Sequence, residues 1–210
     1  MTKYIALLGD GCADIAFYLG NLLGALGGHV LVDDSVAARK ADHCVGLPDD
    51  VNLATDIIRY KKVEYTQFAG LDYSGYDYVI TLYGTEVPVG KIDLAVYAFA
   101  ETSEGYNRMY QNTYPEADTV CCIVRDCLGF TKREHKAFAK KNRLGDVHFI
   151  EFNKNDIRAR IALEFNHELK IRELSKDMRG LLSGMVLSVR PGTTAKEFER
   201  AARAVERGGN

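Results

Sequence analysis

The chain has 210 residues, 47% of them hydrophobic and 27% charged, a size and balance that suit one α/β domain with a large core. Its formal net charge of −2 argues against a protein that coats nucleic acid as a whole, and no apolar run approaches the roughly 18 residues of a membrane span. The five cysteines, Cys12, Cys44, Cys121, Cys122 and Cys127, lack paired C-x-x-C spacing, which excludes a disulfide framework or zinc ribbon, and no metal site is expected.

Met1-Thr2-Lys3 runs directly into the apolar Tyr4-Ile5-Ala6-Leu7-Leu8 with no signal peptide, so a cytoplasmic location is expected. That run reads as a first strand, Gly9-Asp10-Gly11 as a turn, and Ala16, Leu19, Leu22, Leu23 and Leu26 recur at helical spacing until Gly27-Gly28 stops the helix. His29-Val30-Leu31-Val32 forms a second buried strand, with Asp33-Asp34 at its carboxyl end. A βαβ unit of this kind turns the backbone N–H groups of the turn and the helix N-terminus toward the sheet edge, where a phosphate can sit. The dinucleotide pattern G-x-G-x-x-G with a later acidic residue is met in part: Gly9 and Gly11 fit, but Asp14 stands where the third glycine belongs.

From Val36 to Gly70 the pattern is less regular. Lys40 to Cys44 and Pro48 to Asp50 suggest loops, Asn52 to Tyr60 a helix and Val63 to Phe68 a strand, while the adjacent His43 and Cys44 face different ways and make no metal pair. Leu71 to Gly84 carries the third sheet strand and Ile92 to Phe99 a fourth; Thr102 or Ser103 then caps a helix, and Asp118 to Val124 is a fifth strand in which Cys121 and Cys122 serve as small core residues. Thr131 to Arg143 is the most basic segment, with Lys132, Arg133, Lys136, Lys140, Lys141 and Arg143 against Glu134 alone. Such a helix is either a solvated face over the sheet or a patch that binds nucleic-acid phosphates in a salt-dependent way. Val147 to Phe152 is a sixth strand and Asn155 to Phe165 a helix, and Ile171 to Val189 reads as a closing helix with Leu174, Met178, Leu181, Leu182, Met185 and Val186 on one broad face. After Pro191-Gly192, Thr194-Ala195-Lys196-Glu197 forms a capping box, and Phe198, Ala202 and Val205 draw a thin apolar line along a charged helix, too weak for membrane insertion and suited to folding back on the domain or to a partner.

Two stretches carry a family resemblance. Leu7 to Asp34 resembles the opening of the MinD/ParA family of deviant-Walker ATPases, K-G-G-x-G-K-T, helix, glycine turn, V-L-L-I-D: Gly9-Asp10-Gly11-Cys12-Ala13 overlies G-x-G-K-T, and Val30 to Asp34 overlies the strand and its aspartate. Gly75 to Gly84 resembles the family's Walker B strand, Y-D-Y-V-I-I-D-x-P-x-G. The departures fall on the chemistry. Cys12 stands at the phosphate-binding lysine, Ala13 at the magnesium-binding threonine, Leu7 at the extra signature lysine, Val36 at the second aspartate of D-x-D, and Leu82 at the magnesium-coordinating aspartate. Lysine, hydroxyl, carboxylate and magnesium supply positioning and charge neutralisation in phosphoryl transfer.

The resemblance implies a P-loop NTPase-like three-layer sandwich, a mostly parallel sheet flanked by helices on both faces, over residues 1–190, with a C-terminal helical tail at 191–210. It implies a pseudo-ATPase in which Gly9, Asp10, Gly11, Cys12, Ala13 and Asp34 form a degenerate nucleotide-binding loop. ATP or ADP would be held through backbone N–H groups without a magnesium site. Arg125 occupies the place of an adenine-binding asparagine, and Asn153 lies in the loop that holds the purine ring in relatives. A homodimer docked on a larger protein assembly follows, most similar to the CpaE/TadZ-like branch that helps localise or assemble pilus and secretion machinery. The alternatives are an ATPase with residual activity, a DNA-associated partition-type protein using Lys132, Arg133, Lys136 and Lys140, and an NAD-dependent oxidoreductase. Cys12, at the amino end of a helix, is either a reactive thiol or a neutral replacement for the lysine.

Overall fold

The computed structural model describes residues 1–9, 12–36, 41–46, 51–52, 55–102, 116–129, 131–141 and 147–207. The strands are β1 (Lys3–Leu8), β2 (Val30–Asp33), β3 (Ile57–Tyr60), β4 (Val63–Thr66), β5 (Tyr78–Gly84), β6 (Ile92–Ala100), β7 (Ala117–Cys127) and β8 (Val147–Glu151). They form a single sheet in the order β3-β4-β2-β5-β1-β6-β7-β8, parallel throughout except for the antiparallel β3–β4 pair at one edge. The described helices are α1 (Ala13–Ala25), α2 (Lys132–Lys141), α3 (Lys154–Asn166), α4 (Lys176–Val189) and α5 (Ala195–Arg207).

The central strands are apolar on both faces, as parallel strands covered on both sides must be. Ile5, Leu7, Ile80, Leu82, Leu94, Val96 and Ile123 turn to one face and join Ile15, Leu19, Leu22 and Leu23 of α1 with the inner faces of α3, α4 and α5 in the main core. Ala6, Leu8, Ala95, Tyr97, Phe99, Cys122 and Val124 turn to the other, where α2 rests on β8. All five cysteines are buried and unbridged. The first helix ends as expected: Gly27 takes φ 93° and Gly28 N–H reaches back to the Leu23 carbonyl at 3.1 Å, a left-handed C-terminal turn that glycine adopts without strain.

Three elements differ from the sequence expectations. The helix expected over Asn52 to Tyr60 is, in its described part, a turn closed by Asp56 N–H on the Asn52 carbonyl, then strand β3. The β-branched Ile57-Ile58 pairs across the Lys61-Lys62 turn with β4, and that pairing outweighs the helical spacing. The strand expected from Leu71 is strand only from Tyr78; before it, Asp72 accepts from Ser74 N–H (3.0 Å) and O–H (2.8 Å) in a side-chain turn. The closing helix expected from Ile171 is split. Ile171–Glu173 is a short 3-10 turn and α4 starts only after Ser175, whose N–H and O–H both bind the buried Asp156 carboxylate at 2.6 and 2.7 Å. Ser175 Oγ in turn accepts from Met178 N–H, so one serine caps α4 and ties it to α3. The helix expected after Thr102 and Ser103 lies outside the described residues.

The tail helix α5 lies against α1, with Phe198, Ala201, Ala202 and Val205 buried in the main core. Its capping box is formed: Glu197 accepts from Thr194 N–H and O–H at 2.8 and 2.7 Å. Arg172 clasps the Glu206 carboxylate from the 3-10 turn, and Arg179 of α4 pairs with Glu199. No described helix is long and apolar enough to cross a membrane.

Candidate functional site

The carboxyl ends of β1, β2, β5 and β6 open around the start of α1, the place where ligands bind in open α/β sheets. Gly9 leaves β1 with φ 95° and donates its N–H to the Gly84 carbonyl at 2.7 Å. A Cβ built on Gly9 would stand 2.1 Å from the Ala98 carbonyl oxygen of β6, so two backbones meet here at a distance only glycine permits. The next two residues of the expected loop, Asp10 and Gly11, lie outside the described residues. Cys12 occupies the N-cap of α1 but does not cap it; the thiol is 2% exposed and donates to the Leu8 carbonyl at 3.0 Å. A reactive, solvent-facing thiol is therefore not what the helix start presents. Ala13 opens the helix with no side-chain donor or acceptor.

The acid at the position of the third glycine has a partner. Asp14 accepts from Arg125 through both carboxylate oxygens at 2.7 Å, a two-pronged ion pair between the first turn of α1 and the end of β7. The two residues are 4% and 5% exposed. Burial by itself pulls the Arg125 pKa down, but the Asp14 charge and its hydrogen bonds outweigh that and hold the guanidinium firmly protonated. Asp14 also accepts from Ile15 N–H at 3.0 Å, which sets a carboxylate against the positive end of the α1 dipole. Arg125, expected on the base side, thus commits two of its donors to the helix. The pair spans 111 residues of sequence. Its signal was an acid inside an otherwise apolar helix and a base closing an apolar strand.

The remaining predicted positions divide clearly. Leu82 pairs with Leu7 across β5 and β1 and is 3% exposed in the core beneath α1. Asp34 is buried, its Oδ2 accepting from Tyr65 O–H and Ala41 N–H, both at 2.9 Å; burial and that negative charge push the Tyr65 phenol up, so it stays a neutral donor. Asp33 accepts from Tyr73 O–H at 2.6 Å beside a cavity of about 300 Å³ lined by Tyr4, Thr81, Tyr83 and Lys91. Asn153 is the N-cap of α3, its Oδ1 accepting from Asn155 N–H at 2.9 Å. Gly9, Cys12, Ala13, Leu82 and the Asp14–Arg125 pair therefore gather at the start of α1, whereas Asp34 and Asn153 are held by local structural bonds. On α2, Arg133, Lys136 and Lys140 are exposed, behind a capping box in which Glu134 accepts from Thr131 N–H and O–H at 2.7 Å; the Lys132 side chain lies outside the described part.

No family profile matches the sequence. No curated protein matches it either. Solved structures share its fold. McdA from Cyanothece, an aspartate-to-alanine variant in complex with ATP, aligns with a TM-score of 0.60 over 92% of this chain and 98% of its own, at 14% identity. A protein from Borrelia burgdorferi described as a plasmid partition protein, bound to AMPPNP, aligns with a TM-score of 0.53 over 97% and 98%, at 12% identity. The MinC:MinD cell division complex of Aquifex aeolicus aligns with a TM-score of 0.51 over 96% and 95%, at 13% identity. These likenesses place the chain in the MinD/ParA P-loop NTPase fold, an eight-stranded, mostly parallel sheet with flanking helices.

Proposed function

We propose that this chain is a pseudo-ATPase of the MinD/ParA fold, a protein that keeps the architecture and has lost hydrolysis, and that it works as a homodimeric scaffold or localisation factor docked on a larger cytoplasmic assembly, on the pattern of the CpaE/TadZ-like branch. The observation that carries the reading is Leu82. At the carboxyl end of β5, where the family's motif holds magnesium with a carboxylate, this chain buries a leucine against Leu7. A divalent cation has no oxygen donor at that position, and no lysine or hydroxyl stands at Cys12 or Ala13 to hold and orient the outer phosphates. The Asp14–Arg125 pair supports the same reading, because the first turn of α1 already carries an internal carboxylate where phosphate charge would otherwise be stabilised. The dinucleotide alternative loses support for a related reason: Asp14 is locked to Arg125, and Asp33 and Asp34 hold tyrosine hydroxyls.

The test is calorimetric titration of the purified chain with ATP, ADP and NAD, with and without magnesium, alongside a phosphate-release assay. The expected result is no turnover, with either no nucleotide binding or a magnesium-independent association through backbone N–H groups. Magnesium-dependent ATP turnover refutes the pseudo-ATPase, and saturable NAD binding refutes the choice of family.

A partition-type role is the second reading, favoured by the exposed Arg133, Lys136 and Lys140 on α2 and by the likeness to the Borrelia protein. It predicts DNA binding that falls steeply between about 50 and 200 mM salt and disappears when these residues are neutralised.

A further inference from the structure

Beyond the crevice, and independent of its reading, three side chains with metal-ligand chemistry converge at the same edge of the sheet. Glu101 follows the end of β6, Cys127 is the last residue of β7, and His135 lies on α2; one donor atom from each falls within 4.8 Å of the other two. We propose that Glu101, Cys127 and His135 form a binding site for a divalent zinc-class cation, with water in the fourth position.

The local backbone is bent to make this cluster. Strand alternation points Cys122 and Val124 to the face covered by α2, and the next residue on that face would be Asp126. Instead Asp126 takes φ 56°, and the β7–β8 register slips between Val124 and Cys127. Arg125 keeps the regular alternation of Cys121 and Ile123 and meets Asp14 on that face, and the bulge after it returns Cys127 to the face of Cys122 and Val124, beside Glu101. A non-glycine residue in the left-handed region inside a strand is strained, and strain of this kind gathers at functional sites.

The other two donors are aimed by their surroundings. Glu101 Oε2 accepts from Leu128 N–H at 2.5 Å and Gly129 N–H at 2.7 Å, so Oε1 is the oxygen presented to His135 Nε2, 2.8 Å away. The imidazole lies flat on Phe149, 4.2 Å between ring centres and 4° between planes. The two amides are outer contacts of the kind that orient a metal-bound carboxylate, and the Phe149 face fixes the plane of the imidazole. Burial tends to raise the Glu101 pKa, but the Gly129 amide, His135 and the Leu128 amide together bring it below the usual carboxylate value, leaving an anionic oxygen ready to coordinate.

A thiolate, an imidazole and a carboxylate are a donor set for zinc, unlike the all-oxygen sets of magnesium or calcium. Zinc bonds of about 2.0 to 2.3 Å set tetrahedral donors about 3.5 Å apart, a spacing that lies between the 2.8 Å Glu101–His135 contact and the 4.8 Å limit of the cluster. Burial pushes the Cys127 thiol up to about 12, so it holds its proton at neutral pH without a cation. Binding therefore forms a metal–sulfur bond and releases that proton to solvent, and affinity rises with pH. The exposed Leu128 and Gly129 leave the cluster close to solvent for entry. No local pattern announces the cluster, since the three residues share neither a spacing motif nor an element.

The test uses the full chain, stripped with chelator, dialysed against Zn²⁺ and, separately, titrated with Co²⁺. The expected outcome is about one Zn²⁺ per chain, a cobalt–thiolate charge-transfer absorption, and a rise in melting temperature with Zn²⁺. Cys127→Ser is expected to abolish the cobalt–thiolate absorption, Glu101→Gln to weaken zinc at least tenfold, and Cys122→Ser, on the same strand outside the cluster, to change neither. Absence of stoichiometric zinc in the wild-type chain, or a cobalt–thiolate absorption that survives Cys127→Ser, overturns the site. Because the wild-type spectrum alone reports a thiolate ligand, a variant that fails to fold does not protect the proposal.

Discussion

Asp14→Asn keeps the shape of the side chain and removes its charge, leaving the Arg125 guanidinium buried at the end of β7 without its counter-ion. The wild-type pair makes two charge-assisted hydrogen bonds of 2.7 Å between residues 4% and 5% exposed, so solvent screens little of the interaction. Each such bond contributes about 1.5 to 3 kcal/mol, and removing one partner of a buried pair costs about 3 to 5 kcal/mol. For a chain of this size that corresponds to a fall in melting temperature of roughly 6 to 20 °C. The double variant Asp14→Leu with Arg125→Met removes both charges together and is expected to recover most of the loss, because the desolvation cost of the pair disappears with it. Urea denaturation of the wild type, Asp14→Leu, Arg125→Met and the double variant at pH 7 gives the coupling energy, with Asp14→Asn measured beside them. A single variant within about 1 kcal/mol of wild type, or a double variant no more stable than Asp14→Asn, refutes the argument that this pair is a self-contained plug at the start of α1.

Gly9→Ala forces a Cβ to within 2.1 Å of the Ala98 carbonyl oxygen at φ 95°, and a loss of more than about 3 kcal/mol in a urea melt is expected whether or not nucleotide is present. The Gly75 carbonyl and the Glu64 carboxylate raise the pKa of the half-exposed His29 by favouring its charged form. A raised folded-state pKa means this contribution is complete below about pH 6.5 and is lost as pH rises through the folded value; His29→Gln should therefore destabilise by less than about 1 kcal/mol at pH 5.5, and its effect should shrink as pH rises. Phe198→Ala, in the core between α5 and α1, should cost about 3 to 5 kcal/mol by thermal melting, whereas a tail that merely trails the domain would tolerate it.

The βαβ opening was legible because each part rests on local pattern: a short apolar run, leucines at helical spacing, and glycines where the chain must turn left-handed at Gly27. The same holds for the Thr194–Glu197 capping box, whose partners are neighbours in sequence. Local pattern failed where distant groups decide. Ile57 and Ile58 follow their partner strand instead of helical spacing, and Asp156 breaks the expected closing helix by capturing Ser175 from another element. In the candidate site Arg125 lies near the end of a strand bordering the crevice, and the motif alignment that singled it out could not give its direction. That is set by an acid 111 residues earlier. Glu101, Cys127 and His135 were beyond reach for the same reason, since convergence of three elements has no signature in any one of them.

The packing of α5 on α1 also bears on how the molecule is made. Helix α1 of the opening βαβ unit completes its cover only when α4 and then α5, a segment about 180 residues later, arrive, and parallel strands add further non-local pairings on the way. During synthesis the apolar flank of α1 is therefore exposed until α5 has been translated. Such an order of events favours slow, late-committing folding and a transient need for protection from aggregation. It places the kinetic vulnerability of the protein at α1 and the release of that vulnerability at α5.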